Sequence, residues 1–262
     1  MNKEKKRIIA TILLTGFILG CQSNRYIPDL SNQIEYHYKV TVIYNEDTIA
    51  FEYYNDKEQL IERIGYEYRI KYIYNTKGQL IEVFNCRMYN CQIGYRDILI
   101  YDDKGNYIEK YRIVGRHPDL DTVKSGQIRF YDENNRLTKE LSDKGTDYYG
   151  KPYECWKYYM YEDDKIVTEI TIYEKDTKDT SEISKYSYNK TGYLTSINRQ
   201  KREIYQEETF EYDTLGNLKI NTIGNSPTIF LYNEQGKLIE ETKYDDNGEM
   251  YFKHIYIYEY KK

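Results

Sequence analysis

The sequence predicts an all-β fold: antiparallel β-hairpin repeats forming an extended, curved meander sheet. Three observations carry this. A short phrase recurs along the chain: Tyr, Asp or Asn, two polar residues, usually Gly, one more residue, then Leu. The segments flanking the phrase alternate between two faces. No segment after the N-terminus has the periodicity and length of an amphipathic helix.

The phrase reads Tyr74-Asn75-Thr76-Lys77-Gly78-Gln79-Leu80 and returns starting at Tyr188, Tyr212 and Tyr232. Looser copies start at Tyr54, Tyr101, Tyr131, Tyr161 and Tyr244. Asp or Asn at the second place can bond to the backbone just ahead. Gly supplies the positive φ that closes a hairpin with a bulge. Tyr enters the turn on one strand and Leu leaves it on the next. The flanks have period two. Tyr66, Tyr68, Ile70, Tyr72 and Tyr74 share one face, against Glu67, Arg69, Lys71 and Ile73. Phe252, His254, Tyr256, Tyr258 and Tyr260 do the same near the C-terminus. An aromatic residue two places before the turn Tyr (Tyr72, Tyr159, Tyr186, Phe210, Phe230) would stack one repeat on the next, its hydroxyl, where present, reaching water.

The starts from Tyr54 to Tyr232 lie 20 to 30 residues apart. Two strands and two turns need roughly 20 residues, so about sixteen strands are expected, with extra length in the return turns. Those returns are placed at 85–90, 114–125, 142–152, 175–181, 198–203 and 223–227. Pro118, Pro152 and Pro227 fall in them, which keeps the strands free of a residue lacking a ladder donor. The units vary in length and nothing in the first strands visibly matches the last, so an open stack is expected over a closed barrel.

Residues 1–20 form a separate object. Lys3, Lys5, Lys6 and Arg7 precede a mostly apolar run, Ile8 to Leu19, of signal-peptide length and too short to span a bilayer comfortably. The run ends in Ile18-Leu19-Gly20-Cys21, which resembles a bacterial lipobox. The resemblance implies lipid attachment at Cys21, and so a membrane partner through the N-terminal lipid. An ordinary cleaved signal peptide is the alternative. Residues 21–35 then read as a lipidated N-terminus and polar tether, and 36–262 as the repeat domain. Gln22, and no Asp, follows Cys21. By resemblance to proteobacterial sorting this implies the cell envelope, at the outer membrane.

The phrase also resembles the YD (Rhs-type) repeats of bacterial surface and toxin-associated proteins, over residues 44 to 260. In that family the repeats form long antiparallel sheets that spiral, sometimes into hollow shells. This chain is too short for such a shell, so the resemblance implies the sheet and not encapsulation.

Candidate chemistry is sparse. Cys86 and Cys91 bracket an expected return turn, where a disulfide in an oxidising envelope and two free thiols are the two readings. Cys155 has no sequence partner and reads as a buried thiol. These cysteines lack a zinc spacing, so no metal and no cofactor is expected. His117 with Asp119 or Asp121 could form a base, but no nucleophile motif accompanies it. His37 and His254 read as strand-face residues. Asp102-Asp103, Asp163-Asp164 and Asp245-Asp246 each sit in the phrase and are read as turn builders. Charged residues make up 31% with interspersed signs and a net charge of −5, which excludes a nucleic-acid footprint. The sequence therefore indicates a non-catalytic, lipid-anchored envelope protein. Its repeat sheet would be a scaffold or binding surface for glycans or envelope proteins. A toxin-system accessory or immunity lipoprotein is the second reading.

Overall fold

The computed structural model describes residues 27–87, 93–116, 119–123, 127–146, 152–175 and 177–261. Among them there is no helix and one sheet of nineteen strands. The first group is β1 (Tyr38–Tyr44), β2 (Asp47–Tyr54), β3 (Leu60–Gly65), β4 (Tyr68–Tyr74), β5 (Leu80–Arg87) and β6 (Ile93–Tyr101). Next come β7 (Tyr107–Arg116), β8 (Asp119–Val123), β9 (Ile128–Tyr131), β10 (Leu137–Thr146), β11 (Pro152–Glu162) and β12 (Lys165–Lys175). The last are β13 (Thr177–Tyr188), β14 (Leu194–Lys201), β15 (Ile204–Tyr212), β16 (Leu218–Ile223), β17 (Ser226–Tyr232), β18 (Leu238–Tyr244) and β19 (Met250–Tyr260).

The phrase builds the turn its chemistry predicts. In the copy at Tyr54, Asn55 Oδ1 accepts the backbone N–H groups of Lys57 and Gln59, both at 3.0 Å. Asp213, Asn233 and Asp245 repeat the pattern. Gly216 and Gly236 take φ of 86° and 74°, while Glu58 and Asn135 hold the same left-handed place in copies that lack Gly. The ladder register slips just before the phrase Tyr at Tyr54, Tyr74, Tyr101, Tyr188, Tyr212, Tyr232 and Tyr244, which is the expected bulge. The Tyr161 copy departs: β11 and β12 are joined by Asp163 and Asp164 alone, both at positive φ. Several expected returns shrink in the same way. Residues 198–203 reduce to Arg202 and Glu203, and 177–181 lie within β13, because the strands run on. Pro152 and Pro227 lie at the starts of β11 and β17, not in loops; Pro118 is outside the described residues.

The expected open stack is not what forms. β1 pairs antiparallel with β2 on one edge and with β19 on the other, so the first and last strands of the chain close the sheet on itself. Tyr38 stands opposite Tyr54 and Tyr260, and Val42 opposite Ala50 and Tyr256. Closure satisfies both edge strands at once. β8 and β9 occupy consecutive stretches of the same edge of β7, so the nineteen strands fill eighteen positions around the ring. At about 4.8 Å per position the perimeter is roughly 86 Å, wide enough for a solvated interior of the kind found in barrels of roughly sixteen to eighteen strands. Among the described residues each strand approaches only its ladder neighbours. Both faces of the wall meet solvent: the Arg63 side chain on one is 37% exposed, and Ile73 on the other is 43% exposed.

Residues opposite one another in the ladder share a face. Val40, Val42, Ala50, Glu52, Arg63, Tyr72, Asp97, Glu140, Tyr159, Tyr186, Glu241 and Tyr256 lie on one. Side chains on it act on one another across intervening strands: Tyr256 lies within electrostatic reach of Glu52 and Arg63, two and three strands away. This is the concave face. The convex face carries Ile73, Phe130, Met160, Leu231, Ile255 and Ile257, all more than a third exposed, interleaved with Lys71, Glu82, Arg96, Lys139 and Lys253. Those charges are incompatible with a lipid-facing band.

The tether expected at residues 21–35 is docked from Ile27 onward. Ile27 and Ile34 are buried on the convex face against Tyr53 and Ile64, with Leu30 and Tyr36 beside them. Asp29 accepts Lys39 Nζ at 2.8 Å and the Tyr53 hydroxyl at 3.0 Å. Burial pushes the Asp29 carboxyl up, but the hydrogen bonds from Lys39, Ser31 and Tyr53 outweigh it and hold the pKa at about 2.

Two outcomes test this architecture. A chain beginning at Asp47 lacks β1 and exposes the edges of β2 and β19. It should self-associate or lose its β signal in gel filtration and circular dichroism. A monomer with an unchanged melting temperature would overturn ring closure. Gly216→Val should cost on the order of 2 kcal/mol, since φ is positive and the added Cβ runs into the Tyr193 hydroxyl. Gly236→Val, with open space around it, should cost about 1 kcal/mol from φ alone. Equal melting of both variants and wild type would remove the turn geometry.

Candidate functional site: the tyrosine and ion-pair lining

The phrase Tyr does more than enter a turn. Its hydroxyl donates to the carbonyl of the residue in the Leu place of the preceding hairpin. Tyr74 reaches Leu60 at 2.9 Å, Tyr101 reaches Leu80 at 2.7 Å, Tyr161 reaches Leu137 at 2.8 Å and Tyr188 reaches Ile166 at 2.9 Å. Tyr232 bonds Leu218 at 2.9 Å, and Tyr258, which lies in β19 outside the phrase, bonds Leu238 in the same way at 2.8 Å. These hydroxyls go to backbone, not to water. A hydroxyl tied to a neighbouring hairpin's backbone holds its ring against the wall.

One layer further into the ring, Tyr159, Tyr186 and Tyr256 donate to Glu140, Glu169 and Glu241, each at 3.0 Å. The same carboxylates take a cation: Arg129 Nε lies 2.9 Å from Glu140 and Lys157 Nζ 2.8 Å from Glu169. Asp97 binds Arg112 through Nε and Nη2 at 2.7 and 2.8 Å, and Glu208 binds Arg199 at 2.6 Å. His254 Nδ1 stands 3.6 Å from Glu241. The lining is thus a belt of half-buried tyrosines and neutralised acids. Burial is the first cause that pushes Tyr54, Tyr159, Tyr186 and Tyr256 well above the usual phenol range, and the adjacent carboxylates add to it. Tyr107 is pushed up to about 12 by burial against the opposing effect of Arg129.

At the phrase end of the ring, the residue just after the Gly place ties each turn to the next. Gln59 Nε2 donates to the Gly78 carbonyl at 3.0 Å, and Gln79 Nε2 to the Gly105 carbonyl at 3.1 Å. Arg136 pairs with Asp164 at 3.3 Å, and the Tyr193 ring stacks on Tyr212 at 4.8 Å. Lys237 completes the circuit. It sits 4.0 Å over the Tyr38 ring and 3.1 Å from Glu58, bridging the seam made by β19 and β1. Reading this place as a free surface position misses it; the only signal is that it is polar or aromatic in every copy.

The other expected residues fall elsewhere. Cys21, Cys91 and His117 lie outside the described residues. Cys86 is buried and disulfide-bonded. Cys155 is a buried free thiol. His37 precedes β1, and its N–H bonds the Tyr54 carbonyl. Asp102, Asp163, Asp164 and Asp245 all lie in turns. Among the described residues no three His, Cys, Asp or Glu side chains converge as a metal site, and no helix is long and apolar enough to cross a membrane.

No protein-family model matches the chain, and no curated protein matches it. Solved structures similar to it include the crystal structure of TcdB2-TccC3, at 12% identity over 85% of this chain and 17% of that one, with a TM-score of 0.32. The crystal structure of TcdB2-TccC3 without its hypervariable C-terminal region matches at 12% identity over 79% of this chain and 16% of that one, TM-score 0.30. A Photorhabdus luminescens Tc holotoxin pore with a substituted TccC3 matches at 12% identity over 80% and 14%, TM-score 0.31. The chain thus spans less than a fifth of the length of each.

The raised tyrosine pKa values have a consequence. A phenol whose folded pKa is raised contributes stability that is complete below its unfolded pKa near 10 and is lost as pH rises through the folded value. The lining tyrosines should therefore ionise late and together, with unfolding, above about pH 12. Absorbance at the phenolate band, followed alongside circular dichroism, checks this. A single smooth titration of all tyrosines near pH 10 with the fold intact would count against the buried lining.

Proposed function

We propose that the protein is a non-catalytic binding ring that takes up a glycan on its concave face, held at the cell envelope by lipid on Cys21. The observation that supports it is the lining. Half-buried tyrosine rings recur along it, and an aromatic ring suits the apolar face of a sugar. The acids and bases between them are already paired, so they supply hydrogen bonds without a large net field. A surface of that kind binds and orients. A protein partner at the same surface is the competing occupant. The toxin-accessory reading rests on the sequence resemblance alone.

Two measurements test the proposal. In affinity electrophoresis, a polysaccharide that retards the protein should do so less for a Tyr159→Ala, Tyr186→Ala double variant and equally for the convex-face variant Lys185→Ala. Retardation unaffected by the double variant would remove the concave face as the binding surface. Cys21→Ser should shift the protein from the membrane to the soluble fraction. Membrane association that survives carbonate washing would remove the lipid anchor.

A further inference from the structure

The arginine–carboxylate pairs described on the concave face are not equal. Asp97, Glu140 and Glu208 hold Arg112, Arg129 and Arg199 at 2.6 to 2.9 Å. Arg63 is held loosely: its Nε stands 3.4 Å from Glu52 and, sealed from water, has no hydrogen-bond partner. The Arg63 side chain is still 37% exposed. One Glu52 oxygen accepts the Tyr54 hydroxyl at 2.8 Å. A strong donor and a strong acceptor thus stand side by side, neither fully committed to the other.

Their surroundings are aromatic. Tyr68 bonds the guanidinium, and Tyr72 lies within electrostatic reach of it. From across the seam Tyr256 reaches the same two groups. Beside them on the same face, Val42 and Ala50 form a buried apolar patch, with 2% and 0% exposure, packed by Tyr54 and Tyr256.

The geometry points to a sugar subsite at Glu52 and Arg63 that takes a neutral pyranose, its adjacent hydroxyls bridging the carboxylate and the guanidinium and its apolar face against the flanking tyrosines. This assignment rests on the reading of the concave face as a glycan-binding surface. Neutral sugar is favoured over acidic sugar by charge. Glu52 offsets Arg63, and Glu241, joined to Tyr256 at 3.0 Å, adds a further negative charge nearby. An incoming carboxylate would meet both. A hydroxyl, by contrast, can donate to Glu52 and accept from Arg63 at once.

Titration of the full-length protein with mannohexaose, cellohexaose, maltohexaose and hexagalacturonate tests it. At least one neutral hexasaccharide should bind, and its affinity should fall about tenfold or more in Arg63→Met and in Glu52→Gln. Arg63→Lys keeps the charge but loses the fork, and should recover part of that loss. Lys185→Ala, on the convex face, should bind as wild type does. Neutral binding that survives Arg63→Met and Glu52→Gln but is lost in the Tyr159→Ala, Tyr186→Ala variant overturns the subsite and leaves the broader reading standing. No binding of any probe to the wild-type protein overturns both. Preference for hexagalacturonate overturns the neutral class. Should Arg63→Met fail to fold by circular dichroism, Arg63→Lys and Glu52→Gln carry the decision.

Discussion

Closure of the backbone ladder is the constraint on which the rest of this structure depends. A wall of eighteen positions encloses more space than its side chains fill, so among the described residues no central hydrophobic core holds the elements together. The two buried apolar clusters are small and both touch β1 and β2 or the segment packed on them. What remains is hydrogen bonding from strand to strand. An open version would leave two long edges unpaired, each a template for another chain. β1 removes both edges by standing between β2 and β19. The largest buried side chains, Tyr53, Ile64 and Val40, cluster at this seam, where the ring would otherwise come apart.

Around the ring, stability is assembled from neighbour contacts. Tyr74, Tyr101, Tyr161, Tyr188 and Tyr232 each bond a carbonyl of the hairpin before, and Gln59, Gln79 and Arg136 each reach the turn after. A single such bond contributes only about 1 kcal/mol. Repeated, and joined end to end by Lys237 and Glu58, the bonds make a circuit in which no unit is terminal. Linear repeat proteins need capping units with a polar outer face. Here closure takes the place of a cap, which is why the first strand can have the apolar and aromatic sequence Tyr38-Lys39-Val40-Thr41-Val42-Ile43-Tyr44.

Much of the repeat was legible in the sequence because its causes are local. An Asn or Asp that accepts two backbone N–H groups within four residues, and a Gly at positive φ, act within one turn. Closure was not legible, because it depends on β1 meeting β19 across more than two hundred residues, and β1 carries no phrase to mark it. The lining was half legible. The alternation placed Tyr72 and Tyr256 on one face, but the partner of each acid comes from a neighbouring strand whose register is set by bulges. Glu208, for example, meets Arg199 by a diagonal, since its direct ladder partner is Ile197. The docking of Ile27 to Ile34 was not legible, because Pro28, Asp29, Ser31 and Asn32 give the segment a polar composition. Three apolar residues spaced along it were enough to anchor it.

The polarity of the lining bears on why such a ring would exist. A half-buried ion pair gives back in Coulomb attraction little more than desolvation takes away, and apolar residues of the same size are often as stabilising or more so. A wall selected for stability alone could therefore have filled these positions with Val and Ile, as it does at Val40 and Val42 near the seam. Instead, acids, bases and tyrosines recur at matching heights on hairpin after hairpin, partly open to water. Mutual pairing keeps the field low while leaving lone pairs and donors along the interior. That combination gains little for the fold; under the proposed function its return would come from a ligand rich in hydroxyl groups.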